Sequence, residues 1–511
     1  MPNREIFRPG TQLFLKLSFS TCILTLHAIA QSQTFDPKPW LQDYASLKHT
    51  LEKSYSNLAW FASPEGGVDL PALDRRTLAA IESAHSDDEA RRALLSFVRS
   101  FHDGHFSSLR TEAAPRASGE KPPPPVYSQQ DAAGGCAALG YGPVRDSAFS
   151  LPFDSLEGFH LLADGTTRPF RAGTLWVQDP QAGVQNPQPR LGIVRIPEFE
   201  NNYRALCLEA WGRSEVWDPQ GKFIRGALRR AIDQAWYHAL ADLLRKFKDD
   251  GVAAVLVDIG NNSGGGDSGD IAARLFTTIP LHSAPLWMSQ DPDWSTPYFD
   301  EQITALRRVL EIDADSQQAQ KSLAWFTAQK EKLAQTCPMD WVWRERRAWS
   351  SDTCRRLVEA GTAGGPLSYL APDTVADVRV AQRLHWPALV TPLWGAWTGP
   401  VYVLTDNKTY SAAEMFAAVM QNNRAARIVG RPTGGDGCGF MNSTAPVVLP
   451  NSGLRFRVPN CVRLRADSTD EVAGVRPDLP ILPAEGEDPK AIAERVRVAL
   501  FEDLKRSTAG K

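Results

Sequence analysis

The stretch Val252-Ala-Ala-Val-Leu-Val-Asp-Ile259 is apolar at every position but one. It lacks the alternation of a half-exposed strand and suits a strand covered on both faces, as in parallel sheets. A glycine-rich loop follows at once, Asn261-Asn-Ser-Gly-Gly-Gly-Asp-Ser-Gly269, and Asp270 to Phe276 opens a helix. The same order recurs downstream, with a strand at Pro400-Val-Tyr-Val-Leu-Thr405, a turn at Asn407-Lys-Thr-Tyr-Ser411 and a helix from Ala412 to Met420. Arg190 to Ile196 reads as a further buried strand, and Leu228 to Phe247 as a long amphipathic helix. Ile428-Val429 and Arg455 to Val458 are further strand candidates. Helices alternating with buried strands predict an α/β layer fold.

The flanks differ in pattern. Between Trp40 and Leu109 apolar residues recur at helical spacing (Leu41, Tyr44, Leu47, Leu51; then Leu94, Leu95, Val98, Phe101), and Ser86-Asp-Asp-Glu89 has the form of a helix start. Pro122 to Pro125 cannot join a helix and marks a linker. The expected organisation is an N-terminal helical domain at 31–120, a linker with a small β-rich segment at 121–189, and a core at 190–284 and 396–511. The core is interrupted at 285–395 by an insertion with a polar helix around 301–333 and a Trp-rich stretch (Trp341, Trp343, Trp349) read as packing.

Charge narrows the function classes. With 56 basic against 59 acidic residues and a net charge of −3, no basic block is present on which nucleic-acid binding would rest. Arg4, Arg8 and Lys16 precede the apolar run LSFSTCILTLHAIA, which ends in Ala28-Ile-Ala30. A positive stretch, a short apolar core and A-x-A form a secretory signal over residues 1–30, so the chain is expected to be exported, periplasmic or secreted, with no transmembrane span once mature. Beyond Cys22 six cysteines remain, which in an exported chain permits disulfides. Of the fifteen possible pairings, Cys337–Cys354 and Cys438–Cys461 are the local choices. No C-x-x-C or H-E-x-x-H spacing occurs, so neither a metal site nor a cofactor is expected.

The glycine loop carries two misleading matches. Gly264, Gly266 and Gly269 satisfy G-x-G-x-x-G, yet Asp267 and Asp270 would put negative charge where a pyrophosphate must sit. Gly266-Asp-Ser-Gly269 is similar to the nucleophile segment of trypsin-like proteases, but no matching histidine segment lies upstream. A loop offering free amides to a reacting oxygen is the more economical reading. Ser411 sits where a strand gives way to a helix, so the next amide, that of Ala412, lacks a partner within the helix. That amide, with Gly264 or Gly265 should the two loops meet, can donate to a developing oxyanion.

Several segments together resemble the carboxyl-terminal processing and tricorn-type serine peptidases. His102-Asp-Gly-His105 resembles their Asp-Gly-His segment, and Arg190 to Phe199 the strand opening their core. Asp258-Ile-Gly-Asn-Asn-Ser-Gly-Gly265 is similar to their Asp-x-Arg-x-Asn-x-Gly-Gly loop, with Gly260 in place of the arginine. Ser411-Ala-Ala-Glu414 fits their Ser-Ala-x-Glu nucleophile segment, and Glu471-x-x-Gly-Val-x-Pro-Asp478 their terminal motif. The resemblance leaves out 285–395. It implies a crotonase/ClpP-like α/β core and a peptide or protein substrate.

One departure bears on mechanism. Family members that use a Ser–Lys pair carry their lysine where this chain has Asp436. An aspartate cannot act as that base, so the tricorn-like branch with a histidine base remains. The resemblance then assigns Ser411 as nucleophile, His105 as base and Glu471 as the acid orienting it, with Ala412, Gly264 and Gly265 forming the oxyanion hole. Tricorn places a serine just before the histidine, where this chain has Gly104. Lys408, three residues before Ser411, reads as a solvated loop residue. The expectation is a serine peptidase working through an acyl-enzyme. The alternatives are a non-catalytic ligand- or peptide-binding protein on the same scaffold, as the retinoid-binding protein of the eye resembles, or an esterase.

Overall fold

The computed structural model describes residues 35–110, 126–144, 147–165, 169–176, 189–266, 268–350, 354–442 and 444–509. The expected signal at 1–30 and the run Pro122 to Pro125 lie outside them. At the centre is a seven-stranded sheet, in the order Leu479–Pro480, Arg427–Gly430, Val401–Thr405, Ala254–Asp258, Arg190–Arg195, Arg171–Trp176, Phe159–Ala163. The first five run parallel; the last two extend the sheet as an antiparallel pair.

The unbroken apolar run finds its reason in this sheet. Val255 and Val257 face one layer, where the long helix Arg225–Asp249 contributes Leu240 and Phe247 and the helix Ala412–Asn422 contributes Phe416. Ala254 and Leu256 face the other, against Phe153 and the C-terminal helix with Val496 and Leu500. Each of these larger side chains contributes roughly 1.5–3 kcal/mol by leaving water.

Asp258, the one polar residue of the run, is fully buried. Ser150 donates to it from its hydroxyl (2.5 Å) and its amide (2.7 Å), Gly260 from its amide (3.1 Å), and the buried Arg195 lies 3.4 Å away. Burial pushes this carboxyl up, and Arg195 and Ser150 oppose the shift. Arg195, on the neighbouring strand, also donates to the Gly260 carbonyl. A Cβ at Gly260 would come within 2.5 Å of Ser150 Oγ, so no side chain fits there.

The N-terminal helices Lys38–Ser54, Leu70–Glu82 and Asp87–Arg99 bury Tyr44, Leu47, Leu51, Leu94 and Phe97 in a second core. Ser86 caps the third helix through the Glu89 amide (3.3 Å). Trp341 and Trp343 pack into the same core. Instead of one polar helix there are two, Pro292–Ile312 and Gln317–Glu331.

Two small antiparallel sheets flank the serine turn. Ser107–Leu109 pairs with Arg455–Arg457, which pairs in turn with Val447–Val448. Cys461–Arg463 pairs with Pro285–Ser289, and that strand with Leu357–Thr362. Disulfides form at Cys337–Cys354 and Cys438–Cys461, as expected, and at Cys136–Cys207. No described helix is long and apolar enough to cross a membrane.

Asp258→Ala would leave Arg195 buried and uncompensated. The expected loss is about 3–5 kcal/mol in denaturant unfolding; a change below about 1 kcal/mol would show that the pair does not hold the strand ends together.

Candidate active site

Ser411 begins the helix Ala412–Asn422 with φ 54° and ψ −117°. This is a conformation that residues with a side chain adopt rarely, and at a cost of about 1–3 kcal/mol. The surroundings impose it. Tyr410 donates its amide to the Asn262 carbonyl (2.9 Å), and Thr409 donates its hydroxyl to Ile259 O (3.0 Å). The buried Asn262 side chain donates to Ile196 O (2.9 Å) and accepts from Gly264 N (2.8 Å). Serine turn and glycine loop are therefore in contact. A Cβ at Gly264, where φ is 100°, would stand 2.6 Å from Ser411 Cβ, so this glycine is required by both space and backbone.

His105 reaches the same place from the turn that follows the helix Asp87–Arg99. Asp103 Oδ1 accepts the amides of His105 (2.9 Å) and Phe106 (3.3 Å), while Oδ2 accepts from Tyr55 (2.7 Å) and Asn57 (3.0 Å). On the C-terminal side of the histidine, pairing of Ser107 with Arg457 fixes the backbone. Gly439, with φ 70°, lies flat against the ring, and a Cβ there would come within 2.7 Å of Nε2. His105, Ser411, Ala412 and the loop Ser263–Gly266 line one cleft of about 430 Å³, with Glu198, Glu200, Phe440, Arg457 and Arg463 completing its walls.

Nδ1 of His105 lies 2.9 Å from the Asp436 carbonyl oxygen and 3.6 Å from its Oδ2. A carbonyl only accepts, so Nδ1 carries the proton and Nε2 keeps its lone pair.

The amides of the expected oxyanion hole divide. That of Gly264 is spent on Asn262, and that of Gly266 donates to Phe199 O (3.1 Å). Gly264 is therefore corrected from donor to close-packing residue. Among the described residues, the amides of Ala412 and Gly265 have no protein acceptor.

Glu471 is also placed differently from the expectation. It is fully buried, and both its oxygens accept from Arg463, from Nε and Nη2 at 2.9 Å each. Arg463 Nη2 also donates to Gly437 O (3.0 Å). In so dry a place a carboxylate takes the nearest guanidinium, and among the described residues no hydrogen bond joins His105 to Glu471.

Two acids to which the motifs assign no role accept hydrogen bonds from the Ser411 amide. Glu414, the last residue of Ser-Ala-x-Glu, is fully buried, and its carboxyl accepts from the amides of Ser411 (3.2 Å), Gly435 (2.7 Å), Asp436 (3.1 Å) and Gly437 (3.2 Å) and from Thr433 Oγ1 (2.6 Å). Burial, then the neighbouring Asp436, pushes it well above the carboxylate range. Asp436 itself accepts the Ser411 amide at 2.7 Å. The sequence signal was available in Thr433-Gly-Gly-Asp-Gly437, a run whose amides can converge on one acceptor.

Behind them lies Asp470, whose Oδ1 accepts from Val472 N (3.0 Å) and whose buried Oδ2 has no partner among the described residues. Burial raises this carboxyl to about 8, Asp103 and Glu471 adding to the shift. A free aspartate ionises near 3.9. Between about 4 and about 8 the folded chain thus holds a proton that the unfolded chain has lost, and stability falls as pH rises through that window. Asp470→Asn should therefore melt higher than wild type at pH 8, by about 2 °C or more, with the gap closing toward pH 4. A gap independent of pH would contradict the buried, protonated acid.

Residues 351–481 match the model of Peptidase family S41, starting within the stretch that the motifs left out. The fold is similar to that of mature CPAF, with a TM-score of 0.53 at 14% identity over 92% of this chain and 98% of that one. Mature CPAF complexed with lactacystin gives 0.53 and 14% over 92% and 99%. The photosystem II D1 C-terminal processing protease gives 0.32 and 12% over 90% and 96%. No curated protein is significantly similar to the chain in sequence. Residues 351–481 are thus similar to Peptidase family S41, the family that the motifs resemble, and the fold as a whole is similar to that of mature CPAF.

Proposed function

We propose that the chain is an exported peptidase that cleaves peptide bonds through an acyl-enzyme, with Ser411 as nucleophile and His105 as its base. The reading rests on one observation: a serine in a strained strand-to-helix turn and a histidine distant in sequence line the same cleft. With Nδ1 protonated against the Asp436 carbonyl, Nε2 is the nitrogen left to take the Ser411 proton as Oγ attacks the substrate carbonyl carbon. The amides of Ala412 and Gly265 are preorganised to receive the oxygen that becomes negative. When the tetrahedral intermediate collapses, His105 returns the proton to the departing amine. A water then repeats the sequence on the ester and frees Ser411. The apolar run at 17–30 and the three disulfides support export.

A fluorophosphonate probe tests this without knowledge of the peptide sequence preferred. Wild type should be labelled at Ser411, and Ser411→Ala and His105→Ala should each lose at least about 10³-fold in rate while keeping the wild-type melting temperature within a few degrees. A folded wild-type protein that stays unlabelled would favour a binding protein on the same scaffold.

A further inference from the structure

We propose that Asp436 is the positioning residue of this site, holding the His105 imidazole and stabilising its charged form from the space that Gly104 leaves empty. This rests on the assignment of Ser411 and His105 above and adds to it.

The carboxyl of Asp436 bridges the two reacting groups. Oδ1 accepts the Ser411 amide (2.7 Å), Oδ2 stands 3.6 Å from His105 Nδ1, and the carbonyl of the same residue takes that nitrogen at 2.9 Å. One residue therefore fixes the ring's tautomer and ties it to the nucleophile's own peptide. Its carboxyl fills the room a side chain at 104 would need: a Cβ there would meet Asp436 Oδ2 at 3.0 Å and Asp436 Cβ at 3.3 Å. The φ of Gly104 lies outside the left-handed region, so a side chain there meets the Asp436 carboxyl rather than a backbone barrier, and the carboxyl must give by a few tenths of an ångström. The aspartate at 436 and the glycine at 104 are thus two parts of one fit. The carboxyl arrives from the 433–437 loop and takes the space beside the histidine. Glu471, bound to Arg463, is not available for the task.

The charges facing Asp436 set its pH range. Besides His105 these are Glu414 and Tyr410 from the serine turn and helix, Asp103 from the histidine's own turn, and Arg463 from the Cys461–Arg463 strand. Burial raises the carboxyl to about 6; contacts with Glu414, the Ser411 amide and Arg463 oppose the rise, and Asp103 adds to it. Above about pH 6 it carries the charge that favours imidazolium; below, that help is lost.

The test is the rate of fluorophosphonate labelling of Ser411 in the full mature chain between about pH 4 and 9. Asp436→Asn keeps shape and the backbone contact but not the charge. Its plateau should fall at least about tenfold, and the loss of rate that protonation of Asp436 near pH 6 causes in wild type should be missing. A purely structural role would leave that loss in place. Gly104→Ser, which must push the carboxyl aside, should cost about as much in wild type and less than about twofold in an Asp436→Ala background. This pair decides the matter should Asp436→Asn fail to fold. A wild-type profile from Asp436→Asn, or equal losses from Gly104→Ser in both backgrounds, overturns the proposal while Ser411 and His105 stand. No labelling of wild type at Ser411 overturns the underlying assignment and this proposal with it.

Discussion

One buried carboxyl organises the site. Glu414 stands at the start of the Ala412–Asn422 helix, where free amides and the helix dipole favour an acceptor. It gathers not only the amide of Ser411 but three more from Gly435, Asp436 and Gly437. A loop that would otherwise carry unsatisfied donors is thereby wrapped onto the nucleophile's helix. Every contact that Asp436 makes with Ser411 and His105 depends on this wrapping. Without Glu414 the amides would turn to water and the loop would have no reason to stay.

The second constraint is a dry neighbourhood rich in acids. Asp103, Glu414, Asp436, Asp470 and Glu471 are all buried, and Arg463 is the buried cation within reach of the last of them. Charges so placed cannot all be expressed at once. Glu471 is held in a two-pronged contact with Arg463, and Asp103 accepts from four donors. The remaining three are pushed toward their protonated forms. The two-pronged guanidinium contact occupies Glu471, and of the other acids it is Asp436 whose carboxyl stands 3.6 Å from the histidine ring.

Much of this was legible in the chain. The buried strand Ala254–Asp258, the position of the serine turn and the cap at Ser86 follow from local patterns, whereas the strained backbone of that turn is imposed by distant partners at Asn262 and Ile259. Pairings between segments were less accessible. The chain offers Arg463 and Arg465 as partners for Glu471, but that Arg463 claims it depends on a sheet built with Pro285–Ser289, from the stretch expected to be an insertion. The Gly264 amide was offered to the oxyanion because Asn262 looked like a loop residue rather than the clasp between two strands. In the sequence alone, Asp436 marks only the place of an absent lysine. Its role depends on glycine at 104, a fit visible only when the two loops stand side by side.

The backbone at Ser411 also limits which alcohol can occupy its place. Threonine offers the same hydroxyl, yet its branched Cβ resists a φ of 54°, and the added methyl would crowd a wall where Gly264 already has no room for a carbon. A cysteine, unbranched, meets no such barrier. By chemical resemblance threonine is the milder exchange; by conformation it is the harsher one, so routes for altering the nucleophile at this turn run through sulfur before they run through a secondary alcohol.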